Sequence, residues 1–328
     1  MFTRMKLFLA LSVVLVFAAA TASADFKLER RLALEPGGTF ILETDIGEVV
    51  LTGDSTSGAT VNVTSGRDDL DQKYDFRFEE VAGGATVTVK RRGGWLSGWF
   101  DGGWFGNRTR FDVHVPMKTT VNVSTSGGGI NVSKITGHVG VRTSGGGLRI
   151  EAVEGDVNGS TSGGGVRMRD VRGNAVARTS GGGIEIANVQ GTLRAETSGG
   201  GITIDGVTGD LYASTSGGGV NVTAAGGRVE AHSSGGPVTA RFVAGNAKGG
   251  VLSTSGGGVR AELDPTVKLS IDASSSGGGV TTDLPVTIQG RISNDALRGD
   301  LNGGGALLRL RSSGGGVRIT GATTTARR

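Results

Sequence analysis

Between residues 130 and 240, apolar and polar positions alternate in short runs that restart every 18 residues. Ile130, Leu148, Val166, Ile184, Ile202, Val220 and Val238 open the runs. Val132, Ile150, Met168, Ile186, Ile204, Val222 and Ala240 stand two places on. Alternation with period two predicts a strand with one face buried. A second alternating group follows in each repeat, as Val139/Val141, Val157/Gly159, Leu193/Ala195 and Leu211/Ala213. No helical spacing competes, and the glycine content would oppose a helix at about 1 kcal/mol per residue.

Each run is introduced by the words TSGGG or a close variant. The serine falls at Ser126, Ser144, Ser162, Ser180, Ser198, Ser216 and Ser234, then at Ser255 and Ser276, with Asn302 and Ser313 beyond. A fixed short period over this much chain is the signature of a solenoid. The prediction is an all-β, parallel β-solenoid (β-helix) with 18-residue coils, in register from Ser126 to Ser276. About nine coils at ~4.8 Å would make a rod roughly 40 Å long. Each coil would hold two short strands and two glycine-bearing corners. One corner column reads Gly137, Gly155, Gly173, Gly191, Gly209, Gly227 and Gly245. Positive φ or lack of room would each demand glycine there. At the other corner Pro237 replaces the third glycine of the triplet, so that position needs no positive φ. Any left-handed turn in the triplet would belong to its first or second glycine.

Residues 25–120 lie outside the repeat. The segments GGTFILETDIGEVVLTG, ATVNVTSG, YDFRFEEV, ATVTVKR and RFDVHVP read as strands with turns between them. They form a β-rich N-terminal section that starts the sheets and caps the open end, since bare solenoid edges recruit other chains. The repeat section spans 121–290, and 291–328 would hold the closing coils and a tail. The segment 91–108 contains all three tryptophans. Trp95, Trp99, Phe100, Trp104 and Phe105 in this glycine-rich loop are either a contact site or a hydrophobic plug over the solenoid end.

The glycines could instead bind a ligand, but the pattern argues against it. A phosphate loop leads into a helix and carries a fixed Lys; here a strand follows. A calcium β-roll needs a recurring aspartate, whereas that column reads Asn131, Arg149, Arg167, Glu185 and Thr203. An ice-binding threonine row would face outward, but Thr143, Thr161, Thr179, Thr197 and Thr215 share the parity of the buried valines. They should stack inside as hydroxyl ladders. The acidic residues Glu151, Glu154, Asp156, Asp205 and Asp210 would serve a polysaccharide-acting enzyme on the same scaffold, yet each lies at or near a turn. His114, His138 and His232 have no metal-ligand spacing. The reading is a non-enzymatic protein without cofactor or metal.

The chain opens with a basic start (Arg4, Lys6), an apolar run from Leu7 to Ala20, and Ala22-Ser23-Ala24. That is the pattern of a secretory signal peptide over 1–24, so the product is expected to be exported to the periplasm, surface or medium. No other stretch is long and apolar enough to span a membrane. The formal charge of +4 includes Arg4 and Lys6, leaving about +2 that is scattered rather than gathered on one face. This composition does not predict nucleic-acid binding. There is no cysteine, hence neither disulfide nor lipidated thiol.

Three stretches together carry a family likeness: LEPGGTFILETDIGEVVLTG, the FDVHVP strand leading into TSGGGINV coils, and LRGDLNGGGALLRLRSSGGGVRI near the end. They resemble the bacterial putative-adhesin domain family, which is related to the head domain of autotransporter adhesins. The likeness spans most of residues 26–320. It implies an exported, right-handed β-solenoid and brings no catalytic residues. With the reading of the residues, the expectation is an adhesin-like binding or structural module of the cell envelope or surface, with a glycan or protein as its partner. The regular triple glycines and the tryptophan loop are features of this chain itself.

Overall fold

The computed structural model describes residues 26–54, 57–93, 109–288 and 293–322. Among these, 29 strands and one four-residue helix form two facing sheets of 14 and 15 strands. A regular coil gives one strand to each sheet. Thus β8 (Thr120–Thr125) and β9 (Ile130–Thr136) are followed by β10 (Val139–Thr143) and β11 (Leu148–Glu154). Neighbouring coils pair in parallel at the 18-residue offset, with Ile130, Leu148, Val166 and Ile184 in one row. The predicted all-β solenoid is therefore the fold.

The alternation hides one inner row. Lys134, Ala152, Asp170 and Asn188 adopt left-handed φ of 55–60°, and Gly206 continues the column at 83°. One such residue inside a strand reverses which side the following residue faces. Ile135, Val153, Val171, Val189 and Val207 thereby turn inward and are buried. A non-glycine residue in this region costs about 1–2 kcal/mol, while burying a Val or Ile gains about 1.5–3 kcal/mol. The exchange favours the bend, and it makes the core wider than strict alternation implies.

In the regular coils the triplet glycines are held by contact rather than by φ. No triplet glycine from Gly127 to Gly279, nor at 314–316, has positive φ, whereas Gly303 and Gly304 after Asn302 lie at 87° and 79°. A Cβ on the second glycine would meet backbone of the adjoining coil at 2.4 Å for Gly164, Gly182 and Gly200. On the third glycine it would meet backbone at 3.0–3.3 Å for Gly165, Gly183 and Gly201. That looser contact explains why Pro237 is accepted there. At the other corner a Cβ on Gly155, Gly173, Gly191, Gly209 or Gly227 would fall 2.3–2.5 Å from the carbonyl oxygen of the preceding glycine in the column. Gly209 and Gly227 lack positive φ, so room is the common cause. Gly245 departs from the column. It sits in an open turn at φ 81° with no atom near its missing Cβ, and buried Asn246 donates to the Ala225 and Gly227 carbonyls instead.

The threonines are buried as their parity requires, but they do not bond to one another. Thr179 Oγ1 donates to the Gly164 carbonyl at 2.6 Å, and Thr197 and Thr215 donate to Gly182 and Gly200 at 2.7 Å. Each hydroxyl thus satisfies the carbonyl of the tightest glycine in the preceding coil. Serine does the same at Ser233, Ser275 and Ser312. Thr197→Val should lower stability by about 1–3 kcal/mol, because it strands a buried acceptor. Thr197→Ser should cost less than about 1 kcal/mol, and urea denaturation of the two variants measures the difference.

At the ends, chain order and stacking order part. At the N-terminal end β2 (Thr39–Thr44) and β3 (Glu48–Asp54) lie directly on β8 and β9. Beyond them come β6 (Gly84–Arg91) and β7 (Thr109–Pro116), then the antiparallel strands β1 (Phe26–Leu32), β4 (Ala59–Ser65) and β5 (Tyr74–Val81). This section continues both sheets.

At the other end the coil of β22 (Gly250–Thr254) and β23 (Val259–Leu263) is followed in space by β28 (Ala306–Ser312) and β29 (Val317–Gly321). Only then come β24 (Leu269–Ser275) and β25 (Val280–Thr282), with β27 (Ala296–Leu301) and β26 (Val286–Ile288) outermost in one sheet. The expected unbroken order from Ser126 to Ser276 is therefore corrected. The segment expected to close the rod is inserted between two earlier coils, which pair with both of its edges and leave neither bare.

Candidate functional site

Because the third glycine of each triplet has no side chain, a groove runs along that corner on the outer face of one sheet. Its floor is backbone at Gly129, Gly147, Gly165, Gly183 and Gly201, and its wall is the outward row Asn131, Arg149, Arg167, Glu185 and Thr203. This stretch encloses about 670 Å³. A second stretch of about 510 Å³ has Gly258, Gly316 and Gly279 as its floor, beside Thr239, Arg260, Arg318 and Thr281, with Pro237 at the rim. Both stretches lie on one row of paired strands, so the wall residues stand one per coil at ~4.8 Å.

The first stretch is electrically balanced. Arg167 pairs with Glu185 of the next coil at 2.6 Å, Arg149 with Glu151 at 3.3 Å, and Asn131 donates to Glu48 at 3.1 Å. These pairs are about half exposed, so each is worth at most about 1 kcal/mol.

The acidic residues considered for catalysis serve the scaffold. Asp156 accepts the Asn174 amide, Asp210 the Arg228 amide, Asp205 the Thr223 hydroxyl, and Glu154 pairs with Arg172. Each links its coil to the next. Among the described residues, the carboxylates with displaced pKa are all displaced downward. Hydrogen bonds from Arg67 and Lys73 hold Asp69 at about 2, and Arg194 with Arg178 lowers Glu196. Burial would raise Asp272, but Arg311 and Arg298 outweigh it. A glycosidic general acid needs the opposite displacement. No group of three or more His, Asp or Glu among the described residues could hold a metal ion.

The five aromatics Trp95, Trp99, Phe100, Trp104 and Phe105, and the leader 1–24, lie outside the described residues. The flank of the aromatic segment is described. Arg91 donates its amide to Asp45 at 2.9 Å and its guanidinium to the Tyr74 hydroxyl at 3.1 Å. The corner glycines 137 to 227 are brought together as one backbone ladder and take no part in the groove. The groove itself was not singled out from the sequence, although its wall row was readable as outward positions.

Ten chains of known structure match this fold. A putative adhesin from Parabacteroides merdae is 9% identical, covering 90% of this chain and 96% of that one, with a TM-score of 0.41. A putative adhesin from Bacteroides fragilis is 10% identical over 90% and 96%, with a TM-score of 0.40. A putative lipid binding protein from Parabacteroides distasonis is 13% identical over 91% and 97%, with a TM-score of 0.37. Likeness at this level says nothing of ligand or partner. No curated protein matches the chain. The Toastrack DUF4097 family matches residues 59–320, and with the two-sheet coil stack this places the chain in that family.

Proposed function

We propose that the protein is a non-enzymatic, exported binding module of the cell envelope or surface, which holds an extended glycan or protein segment along the glycine-floored groove. The observation that carries this reading is the groove's form: backbone floor, one polar or charged wall residue per coil, and a run over several coils. An elongated ligand can meet such a surface repeatedly, and a small one cannot. Export rests on the leader pattern at 1–24. Among the described residues no helix is long and apolar enough to cross a membrane. The ties that Glu154, Asp156, Asp205 and Asp210 make between coils favour binding over polysaccharide cleavage. The aromatic segment is proposed as a second contact, with Trp95, Trp99, Phe100, Trp104 and Phe105 as its contact residues.

A glycan and envelope-component binding screen on residues 25–328 tests this. Two variants run in parallel: one lacking 93–106, and Asn131→Trp/Thr203→Trp, which narrows the first groove stretch at one half-buried and one exposed outward position. Loss of binding in the narrowed variant is the expected result. Undiminished binding there, with loss in the deletion, would move the site from the groove to the aromatic segment.

A further inference from the structure

The second groove stretch differs from the first in charge. Arg260 on β23 and Arg318 on β29 are register partners in adjacent parallel strands, both exposed. Two like charges thus stand side by side at ~4.8 Å backbone spacing. Among the described residues neither has an ion pair or a side-chain hydrogen bond. Elsewhere on the coil faces several arginines are matched to a carboxylate of an adjoining coil, as in Arg167–Glu185, Arg178–Glu196 and Arg172–Glu154. Among the described residues Arg142 and Arg169 are not, but neither has an arginine as its register partner. Thr239 lies before the pair and Thr281 after it, each in register with its neighbouring arginine. The row Thr239, Arg260, Arg318, Thr281 lines a groove whose floor is bare backbone at Gly258, Gly316 and Gly279.

We infer that this row is the recognition site for a carboxylated polysaccharide, a deepening that rests on the groove-binding reading above. Charge complementarity points to an anion, because unpaired guanidinium groups in parallel are relieved only by negative charge between or over them. The planar fork of arginine fits a carboxylate in two parallel hydrogen bonds. Hydroxyls on either side suit the sugar's own hydroxyls. The row's repeat along a straight groove suits a polymer with one charge per residue rather than an isolated ion. A membrane surface is less well matched, since the lining exposes no large apolar side chain beside the arginines to enter a bilayer.

The test measures binding of residues 25–328 to polygalacturonate, with its methyl-esterified form, monomeric galacturonate and phosphatidylglycerol vesicles as separate arms. Wild type should bind polygalacturonate in a salt-sensitive way and the neutral ester weakly. Arg260→Gln/Arg318→Gln should weaken polygalacturonate binding at least about tenfold. Arg172→Gln/Arg178→Gln should leave it within about twofold, because those arginines lie outside the groove and are already paired with Glu154 and Glu196. Unchanged thermal melting of both variants, which alter exposed side chains only, shows that the fold is kept. Equal affinity of wild type and Arg260→Gln/Arg318→Gln would overturn the site. So would preferential binding to the vesicles or equal binding of the esterified polymer. If a neutral glycan binds in the screen and narrowing the first stretch abolishes it, groove binding stands and the arginine site falls. If nothing in the screen binds, both fall.

Discussion

Gly200→Ala is expected to destabilise the protein by about 3 kcal/mol or more, whereas Gly201→Ala, one residue along, should cost less than about 1 kcal/mol. The substitution is the same and neither glycine has positive φ, so conformation does not separate them. Any gain from restricting the unfolded chain, about 0.4–1 kcal/mol, applies to both. Room separates them. The new methyl at 200 would lie 2.4 Å from the Gly182 carbonyl oxygen and 2.5 Å from Gly183 Cα, all of it backbone that also accepts the buried Thr197 hydroxyl. At 201 it would meet the Gly219 oxygen at 3.3 Å, which a few tenths of an ångström relieves. Denaturant midpoints of the two variants measure this. Equal midpoints would show that coils are not stacked backbone on backbone at the second glycine.

Leu310→Ala should cost about 2–5 kcal/mol, as a substitution in the middle of a stack rather than at its frayed end. Leu310 is fully buried and lies in register between Leu252 on one side and Ala273 on the other. Hydrogen exchange should quicken in both flanking strands, Gly250–Thr254 and Leu269–Ser275. Quickening confined to 306–321, with Gly250–Thr254 unaffected, would mean that this coil trails the rod instead of filling it.

The regular coils were legible because burial follows side-chain parity. The rows headed by Ile130 and Val139 repeat at 18, and a residue's face in a strand is fixed by its neighbour's. The row of Ile135 was not legible, because it depends on a left-handed residue just before it. Asp170, Asn188 and Gly206 tolerate that conformation, but Lys134 and Ala152 give no sign of it. Coil order at the far end was illegible for a different reason. STSGGGV at 253–259, SSSGGGV at 274–280 and RSSGGGV at 311–317 are near-identical words, so any one could stack on any other. The antiparallel pairing of β24 with β27, a long-range contact, turns the chain back and slots the last coil inside. The wall residues of the groove were visible as outward positions, but Arg260 and Arg318 become neighbours only through this insertion.

Since the chain has no cysteine, that adjacency can be tested with engineered pairs. Arg260→Cys/Arg318→Cys places thiols on register partners at ~4.8 Å, inside the Cα separation of about 4.4–6.8 Å that a disulfide spans. Arg260→Cys/Thr281→Cys places them two strands apart, at ~9.6 Å. Mild oxidation, read by mass spectrometry, should cross-link the first pair and leave the second as free thiols. Cross-linking of 260 to 281 in place of 260 to 318 would contradict both the inserted coil and the arginine row built on it.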